Sequence, residues 1–227
     1  MTVTWLGQAG LLIRTDRACI VIDPYLSDSV ASVNPKNTRR IPVDPSFFDS
    51  APDIMIFTHD HLDHYDPETV GEFMKRAAKP ITILAPASVW PRVRTFGGSH
   101  NYVLFNRNTE WTESGIRFTA VRAEHSDPAA IGVLITEEFT GKTAYITGDT
   151  LYNREIFLDL PEKLDVLFLP INGVGNNMNA ADASRFAAWC TADKAVPLHF
   201  GLFDNLTPEA FVHPGRVIPT IYEEIPL

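Results

Sequence analysis

The chain has 227 residues, of which 45% are hydrophobic, and its formal net charge is −9. A chain of this length can bury the core of one domain spanning residues 1–227, and its acidic balance argues against binding to long nucleic acids or to an anionic membrane surface. It has no stretch of roughly 18 apolar residues that could span a bilayer and no signal-peptide pattern at its start, so we expect a cytoplasmic protein without membrane insertion.

The first quarter of the chain combines short strands with one long loop. Residues 3–6, 10–14 and 18–23 are rich in β-branched and other apolar side chains, which predicts a strand followed by a hairpin. Residues 24–52 contain five prolines and keep neither the strand period nor the helix period, which indicates a long surface loop. Loops of this length in compact domains are often functional.

Strands and helices alternate in the rest of the chain. A buried strand is predicted at residues 53–58, and Asp66-Pro67-Glu68 has the residue types that begin a helix, which we expect to reach about Lys79. Asn179 precedes a second helix, and Thr207-Pro208-Glu209 predicts the start of a terminal helix. Further strands are predicted at residues 81–85, 102–105, 116–123, 131–136, 143–147, 164–171 and 195–198. This order favours an α+β fold with two sheets face to face and helices outside, a four-layer αββα sandwich.

Potential metal ligands are densest at His59, His61, Asp63 and His64, between the strand predicted at 53–58 and the following helix. Histidines two apart in extended chain can point the same way, and the residues on the turn can reach a second ion beside the first. Imidazole and carboxylate together suit zinc, manganese or iron. A hydrophilic turn with solvated histidines is the alternative interpretation, but composition alone rarely produces this pattern.

Three other predicted strands also end in a residue that can bind a metal. His125 follows residues 116–123, Asp149 follows residues 143–147, and His199 follows residues 195–198. Any one of them alone would more often be a capping or solvated residue. Together they are what a site along one edge of a sandwich requires.

The His-x-His-x-Asp-His pattern of residues 59–64 resembles the signature of the metallo-β-lactamase superfamily, and His125, Asp149 and His199 match the later family ligands in order. Within the superfamily the chain is similar to the ascorbate-6-phosphate lactonase-like branch of metal-dependent hydrolases, through residues 5–7, 22–24, 124–126 and 169–173. The resemblance implies two divalent ions, zinc or manganese in preference to iron. One ion would be held by His59, His61 and His125, the other by Asp63, His64 and His199, and Asp149 would bridge both.

Three further residues are candidates for contact with a ligand residue or with substrate. Gln8 stands where these relatives usually carry histidine, and an amide can donate and accept hydrogen bonds but cannot shuttle protons near neutral pH. Asp23, at a strand end before Pro24, either orients a ligand histidine or forms a turn. Asn172 belongs to the similar segment 169–173. The chain is also shorter than the sugar-phosphate lactonases, so segments that bind phosphate are expected to be missing.

These features favour a hydrolase in which a hydroxide held between the ions attacks a carbonyl or phosphoryl centre. Asp63 is the candidate catalytic residue, because it can orient that hydroxide as well as bind metal. The first hypothesis for the substrate is a lactone or a similar small ester, and the second is a small or lipid-like phosphodiester. A non-catalytic metal-binding scaffold domain is the hypothesis from another class.

Substrate specificity is expected to come from residues 24–52, 173–179 and 201–205. Lys36, Arg39 and Arg40 either meet an anionic substrate or form a solvated basic loop. A small-molecule substrate is the expected partner, and a homo-oligomer is compatible with the sequence.

Overall fold

The computed structural model describes residues 1–227 and contains twelve β-strands and four α-helices. The strands are β1 (Thr2–Gly7), β2 (Gly10–Arg14), β3 (Cys19–Ile22), β4 (Ile54–Ile56), β5 (Thr82–Ala85), β6 (Asn101–Leu104), β7 (Glu110–Glu113), β8 (Ile116–Arg122), β9 (Ile131–Glu137), β10 (Thr143–Ile146), β11 (Leu164–Pro170) and β12 (Ala192–Leu198). The α-helices are α1 (Ser29–Val33), α2 (Pro67–Arg76), α3 (Trp90–Val93) and α4 (Ala180–Trp189). Short 3-10 helices lie at Pro35–Asn37, Pro45–Ser50, Arg94–Phe96, Arg154–Asp159 and Pro208–Ala210.

The strands form two six-stranded sheets of related design. The first has the order β1-β2-β3-β4-β5-β6, with antiparallel pairs up to β3 and parallel pairs from β3 onward. The second has the order β12-β11-β10-β9-β8-β7, with parallel pairs from β12 to β10 and antiparallel pairs from β10 to β7. Hence β1, β3 and β4 run in one direction, as do β8, β10, β11 and β12 in their sheet. Their carboxyl ends share an edge, which is where open sheets tend to carry binding sites.

A single apolar cluster of 39 buried residues draws on both sheets. Ile22 of β3 and Ile56 of β4 contribute to it, together with Phe118 from the second sheet. The alternate residues of the same strands point outward, where Met55 packs in a second cluster that includes Phe73 of α2. Because successive strand side chains face opposite sides, this division places one layer of core between the sheets and another under the helices.

Helices cover the outer faces and complete the αββα arrangement of an α+β fold. In α2, the Asp66 carboxylate accepts hydrogen bonds from Glu68 N and Thr69 N, each at 3.1 Å. The helix ends at Arg76, three residues before the predicted end, and Ala77 is already extended. The helix could not readily reach Lys79, because a residue directly before a proline disfavours the helical conformation. On the other sheet, α4 packs against β11 and β12.

Two predictions about elements were wrong, and one strand was not predicted. The predicted terminal helix amounts to one 3-10 turn at Pro208–Ala210, since Pro214 and Pro219 interrupt any continuation. Residues 24–52 contain α1 and two 3-10 turns that begin at prolines, so the segment is more ordered than a plain loop. Strand β7 was not predicted, because three of its four residues are polar. None of the helices has the length and apolar composition needed to cross a membrane.

Candidate metal centre

Four predicted ligands from three loops meet at the shared edge of the sandwich. They are His59 and His61 after β4, His125 after β8 and Asp149 after β10, and their ligand atoms lie within 4.8 Å of one another. His61 Nδ1 is 3.2 Å from His125 Nε2. Two nitrogens bound to one tetrahedral zinc lie about 3.3 Å apart, so this spacing fits a shared ion.

A second group lies beside the first. Its members are Asp63, His64 and His199, whose ligand atoms also lie within 4.8 Å of one another. His199 Nε2 is 3.2 Å from Asp63 Oδ2 and 3.4 Å from Asp149 Oδ2. His64 Nε2 is 3.3 Å from the same Asp149 oxygen. The Asp149 carboxylate therefore lies between the two groups and belongs to the surroundings of both.

Asp23 supports the second group from behind. Its buried carboxylate accepts hydrogen bonds from Thr58 N at 2.8 Å and from Thr58 Oγ1, and it lies 2.8 Å from His64 Nδ1. A carboxylate only accepts, so the His64 proton sits on Nδ1 and donates to Asp23. The other ring nitrogen, Nε2, faces the centre. Asp23 thus orients a candidate ligand, which is one of the two roles expected from the sequence.

The unpartnered polar atoms of the centre fit metal ions. His59 Nε2, His64 Nε2 and Asp149 Oδ1 are buried and have no hydrogen-bond partner. Each such group costs about 1–3 kcal/mol unless something satisfies it. All three are donors to metals, and they converge with the other ligand atoms on a common space. The residues present therefore suit divalent cations of the zinc or manganese type.

Charges within the second group balance one another. Burial lowers the pKa of His199, but Asp149 and Asp63 outweigh it and raise that pKa to about 10. Burial likewise opposes ionisation of Asp63 and Asp149, yet the neighbouring imidazoles hold the pKa of both carboxyls below its usual value. Against the effect of burial, Asp149 and Asp23 also raise the pKa of His64 well above its usual value. Without metal, protons on these imidazoles supply the positive charge that the carboxylates need.

The first group has the opposite character. Burial and the neighbouring His64 hold the pKa of His59 well below its usual value, and burial lowers the pKa of His125. Neutral imidazoles are the form that binds metal. The two groups therefore differ in how many protons a metal must displace.

Gln8 is part of the second group's support. Its Nε2 donates to Asp63 Oδ2 at 2.9 Å and lies 3.3 Å from His199 Nδ1. Its backbone carbonyl accepts from Trp5 Nε1 at 2.9 Å and from His199 N at 3.0 Å. The amide therefore fixes one oxygen of Asp63, and no titrating group occupies this position.

Two asparagines also support candidate ligands. The predicted residue Asn172 lies with its amide nitrogen 3.0 Å from His199 Nδ1, the ring nitrogen away from Asp63. Asn177 was not singled out from the sequence. It is buried and donates to Asp149 Oδ2 at 2.7 Å. Its only signal was its place in the amide-rich segment 173–179.

Backbone strain is concentrated at this edge. Gln8, Asp23 and His199 have φ angles of 48°, 44° and 61°. Non-glycine residues seldom adopt these values, and each costs on the order of 1–3 kcal/mol unless its surroundings hold it. Gly148, directly before Asp149, has a φ of 60°, and a Cβ there would lie 2.8 Å from Thr58 Cβ. Only glycine fits the close approach of these two loops.

A cavity of about 310 Å³ opens onto the centre. Gln8, His61, Asp63, Asp149 and His199 form its floor. Its walls include residues from the three loops predicted to contact substrate, together with the candidate Asn172. The loop residues are Val30 and Asn37, then Val174, Gly175 and Asn177, then Phe203 and Asp204. Lys36, Arg39 and Arg40 do not line it. A larger cavity of about 500 Å³ also reaches His125 but contains no other candidate ligand.

The model of the β-lactamase superfamily domain matches residues 19–200. The chain belongs to the metallo-β-lactamase superfamily. A curated superfamily relative, a UPF0173 metal-dependent hydrolase from Geobacillus thermodenitrificans, is 30% identical over 229 residues, covering 93% of this chain and 92% of the relative. This match places the chain in that family of metal-dependent hydrolases.

Solved structures show the same superfamily fold. A possible metal-dependent hydrolase from Veillonella parvula superposes with a TM-score of 0.78 at 18% identity, covering 100% of this chain and 99% of the other. The metallo-β-lactamase fold protein YhfI from Bacillus subtilis superposes with a TM-score of 0.72 at 20% identity, covering 97% of each chain. The predicted αββα fold is thereby confirmed.

Proposed function

We propose that this member of a metal-dependent hydrolase family binds two divalent ions and cleaves a lactone or a similar small ester. The observation that carries the proposal is the pair of ligand groups that share Asp149. Residues His59, His61 and His125 would hold one ion, Asp63, His64 and His199 the other, and Asp149 both. When bound, zinc or manganese would supply Lewis acidity, which polarises the bond to be cleaved and lowers the pKa of water.

The protein's own residues would position the attacking water. Asp63 lines the cavity, and Gln8 Nε2 holds one of its oxygens at 2.9 Å. The other carboxylate oxygen is left to orient a water molecule. Asp23 and Asn172 would keep His64 and His199 in a fixed orientation, as supporting residues commonly do for ligands.

The size of the cavity supports a small substrate. Its volume of about 310 Å³ is near the lower end of known ligand pockets, which start at about 300 Å³. A small ester fills such a space, whereas a lipid-like phosphodiester would have to extend beyond it. Phosphodiester hydrolysis is therefore the second candidate. The scaffold hypothesis is disfavoured because every predicted ligand position is filled and all seven residues come together.

The proposal is tested by untagged preparation, metal analysis and reconstitution. We expect about two ions per chain, and hydrolysis of small lactones that returns when metal-free protein is loaded with zinc or manganese. The variant His61→Ala should lose most of this activity, while His213→Ala, away from the centre, should keep it. Hydrolysis of phosphodiesters alone would overturn the lactone assignment. Folded protein that binds ions and hydrolyses neither class would support the scaffold hypothesis instead.

A further inference from the structure

We infer that Val174 is a specificity-determining residue that contacts an apolar substituent of the substrate. The inference rests on the proposed function, since it names the class of ester that enters the cavity over the candidate metal centre. The expected substrate is a small lactone or ester that bears an alkyl group.

The loop of residues 173–177 is attached to candidate ligands of the centre. Asn176 O lies 3.2 Å from His125 Nδ1, and because a carbonyl oxygen only accepts, the ring nitrogen donates. Asn177 Nδ2 donates to Asp149 Oδ2 at 2.7 Å. These two hydrogen bonds fix the second half of the loop relative to the first ligand group and to the carboxylate that both groups share.

The base of the same loop is closed by contacts between its two ends. Gly173 N donates to Met178 O at 3.1 Å, and Asn172 forms an isolated antiparallel bridge with Asn179. Val174 therefore lies near the tip of a loop that is held at its base and on the side that faces the centre. Such a loop can present a side chain to a substrate without first having to order itself.

The side chain of Val174 is not packed into the core. It is 65% exposed, and it lines the cavity of about 310 Å³ over the centre. A cavity of this volume is small, so a substrate held at its floor also reaches its walls. Apolar area gains free energy when it is removed from water, and a substrate in the cavity can cover this side chain.

Two more apolar side chains, Val30 and Phe203, line the same cavity. Both are joined to Tyr25, whose hydroxyl accepts from Val30 N at 3.2 Å and whose ring packs edge-on against Phe203 with centroids 5.7 Å apart. Tyr25 is fully buried, so this part of the wall has a fixed support. A single exposed valine would be unremarkable on a protein surface. Here three separate loops contribute apolar side chains to one cavity.

Most of the amides that line the cavity serve the candidate ligands. Three of them contact a ligand side chain through the amide nitrogen, and they are Gln8, Asn172 and Asn177. The side-chain oxygens of the two asparagines are buried. Asn37 and Asp204 are the other polar side chains of the walls. Polar groups are thus concentrated around the ligands, and an alkyl substituent gains from contact with the apolar side chains of the walls.

The test compares two lactones of the same size. One is γ-butyrolactone with a propyl group on the carbon that bears the ring oxygen, and the other has a methoxymethyl group there. With metal-loaded protein we expect kcat/KM to favour the propyl lactone by about tenfold, because a single methylene in an apolar pocket discriminates by about that factor. The difference should appear mainly in KM. Equal values, or a preference for the methoxymethyl lactone, would overturn the inference.

Two variants of Val174 locate the preference. Val174→Ala shortens the apolar side chain, and Val174→Thr keeps its shape but replaces one methyl group with a hydroxyl. Each should reduce the preference several-fold, and the intrinsic reactivities of the two lactones cancel when variants are compared. The matched control is Val212→Ala, since Val212 is 69% exposed and does not line the cavity. The control should leave the preference unchanged. An undiminished preference in either Val174 variant, or an equal reduction in the control, would contradict the inference.

The two proposals fail in different ways. Hydrolysis of neither lactone would count against the proposed function. In that case calorimetric binding of the two corresponding lactams to metal-loaded protein decides the inference. Tighter binding of the propyl lactam, reduced in both Val174 variants and kept in Val212→Ala, supports it. Equal, reversed or undetectable binding contradicts it.

Discussion

The carboxylate of Asp23 orients His64 but does not line the cavity. Thr58 and His64 together supply its hydrogen bonds, and the residue itself is fully buried at a left-handed backbone position. Asparagine tolerates that conformation at least as well as aspartate. A substitution to asparagine therefore changes the charge and hydrogen bonding while it spares the backbone.

Asp23→Asn should weaken metal binding at the second group. An amide accepts less strongly from His64 Nδ1, and it can present a donor to that nitrogen instead. We expect a loss of about 10–100-fold in affinity for the ion that His64 would hold, which is usual for such supporting residues. Competition with a chelating dye measures this affinity. Unchanged binding of both ions would contradict the orienting role.

Gln8→Leu should lower kcat more than it raises KM. The leucine side chain has a similar volume, but it cannot donate to Asp63 Oδ2, so the carboxylate that is proposed to orient water loses its anchor. We expect a fall of about 10–100-fold in kcat. Steady-state kinetics on the preferred lactone, with metal content measured in parallel, checks this. An effect confined to KM would mean that Gln8 contacts substrate instead.

Protonation should oppose metal binding in a predictable window. In the metal-free protein His199 has a pKa of about 10, against an ordinary value of 6.5, so its proton stabilises the fold fully below pH 6.5 and ceases to do so as pH rises toward 10. Metal-free protein should therefore become less stable across this range.

Metal binding at pH 7.5 should release protons from His64 and His199. Thermal unfolding at several pH values and calorimetry in buffers of different ionisation enthalpy measure the two effects. Stability that rises between pH 7 and 10 would contradict the assignment.

At the scale of elements, the loops after the strands determine where the ligands point. The sequence could predict β4 and β10 and the residues that follow them, because apolar runs and histidines are local signals. It could not predict that Gly148 approaches Thr58 so closely, because the two lie on different sheets. Strand β7 was also not predictable from its own residues, because its mostly polar composition does not indicate a strand and its pairing with β8 forms one.

Gly148→Ala should be considerably more destabilising than Gly141→Ala. Both glycines have positive φ, at 60° and 70°, so both substitutions share the cost of a left-handed alanine. At Gly148 the new Cβ also lies 2.8 Å from Thr58 Cβ and 3.0 Å from Ile131 O, whereas at Gly141 nothing lies within 4 Å. We expect an additional loss of about 1–3 kcal/mol in the free energy of unfolding. Urea unfolding of the metal-free variants measures it, and equal losses would show that the loops can separate without cost.

Across the whole molecule, the signature residues and the order of strands were enough to predict both the αββα fold and the convergence of all seven candidate ligands. The supporting contacts were harder to anticipate. Asn177 meets Asp149 across 28 positions of sequence, and Arg39 meets Tyr222 across 183. No local pattern encodes such pairs, so these contacts emerge only from the folded structure.

The two ligand groups that share Asp149 are completed at different points in the synthesis of the chain. His59, His61, His125 and Asp149 have all been translated once residue 149 is added, whereas the other group lacks His199 until β12 is complete. A nascent chain thus carries every residue of the first group well before the second group is complete. The residues of the centre therefore become available in two steps, and the last of them follows the last strand of the second sheet.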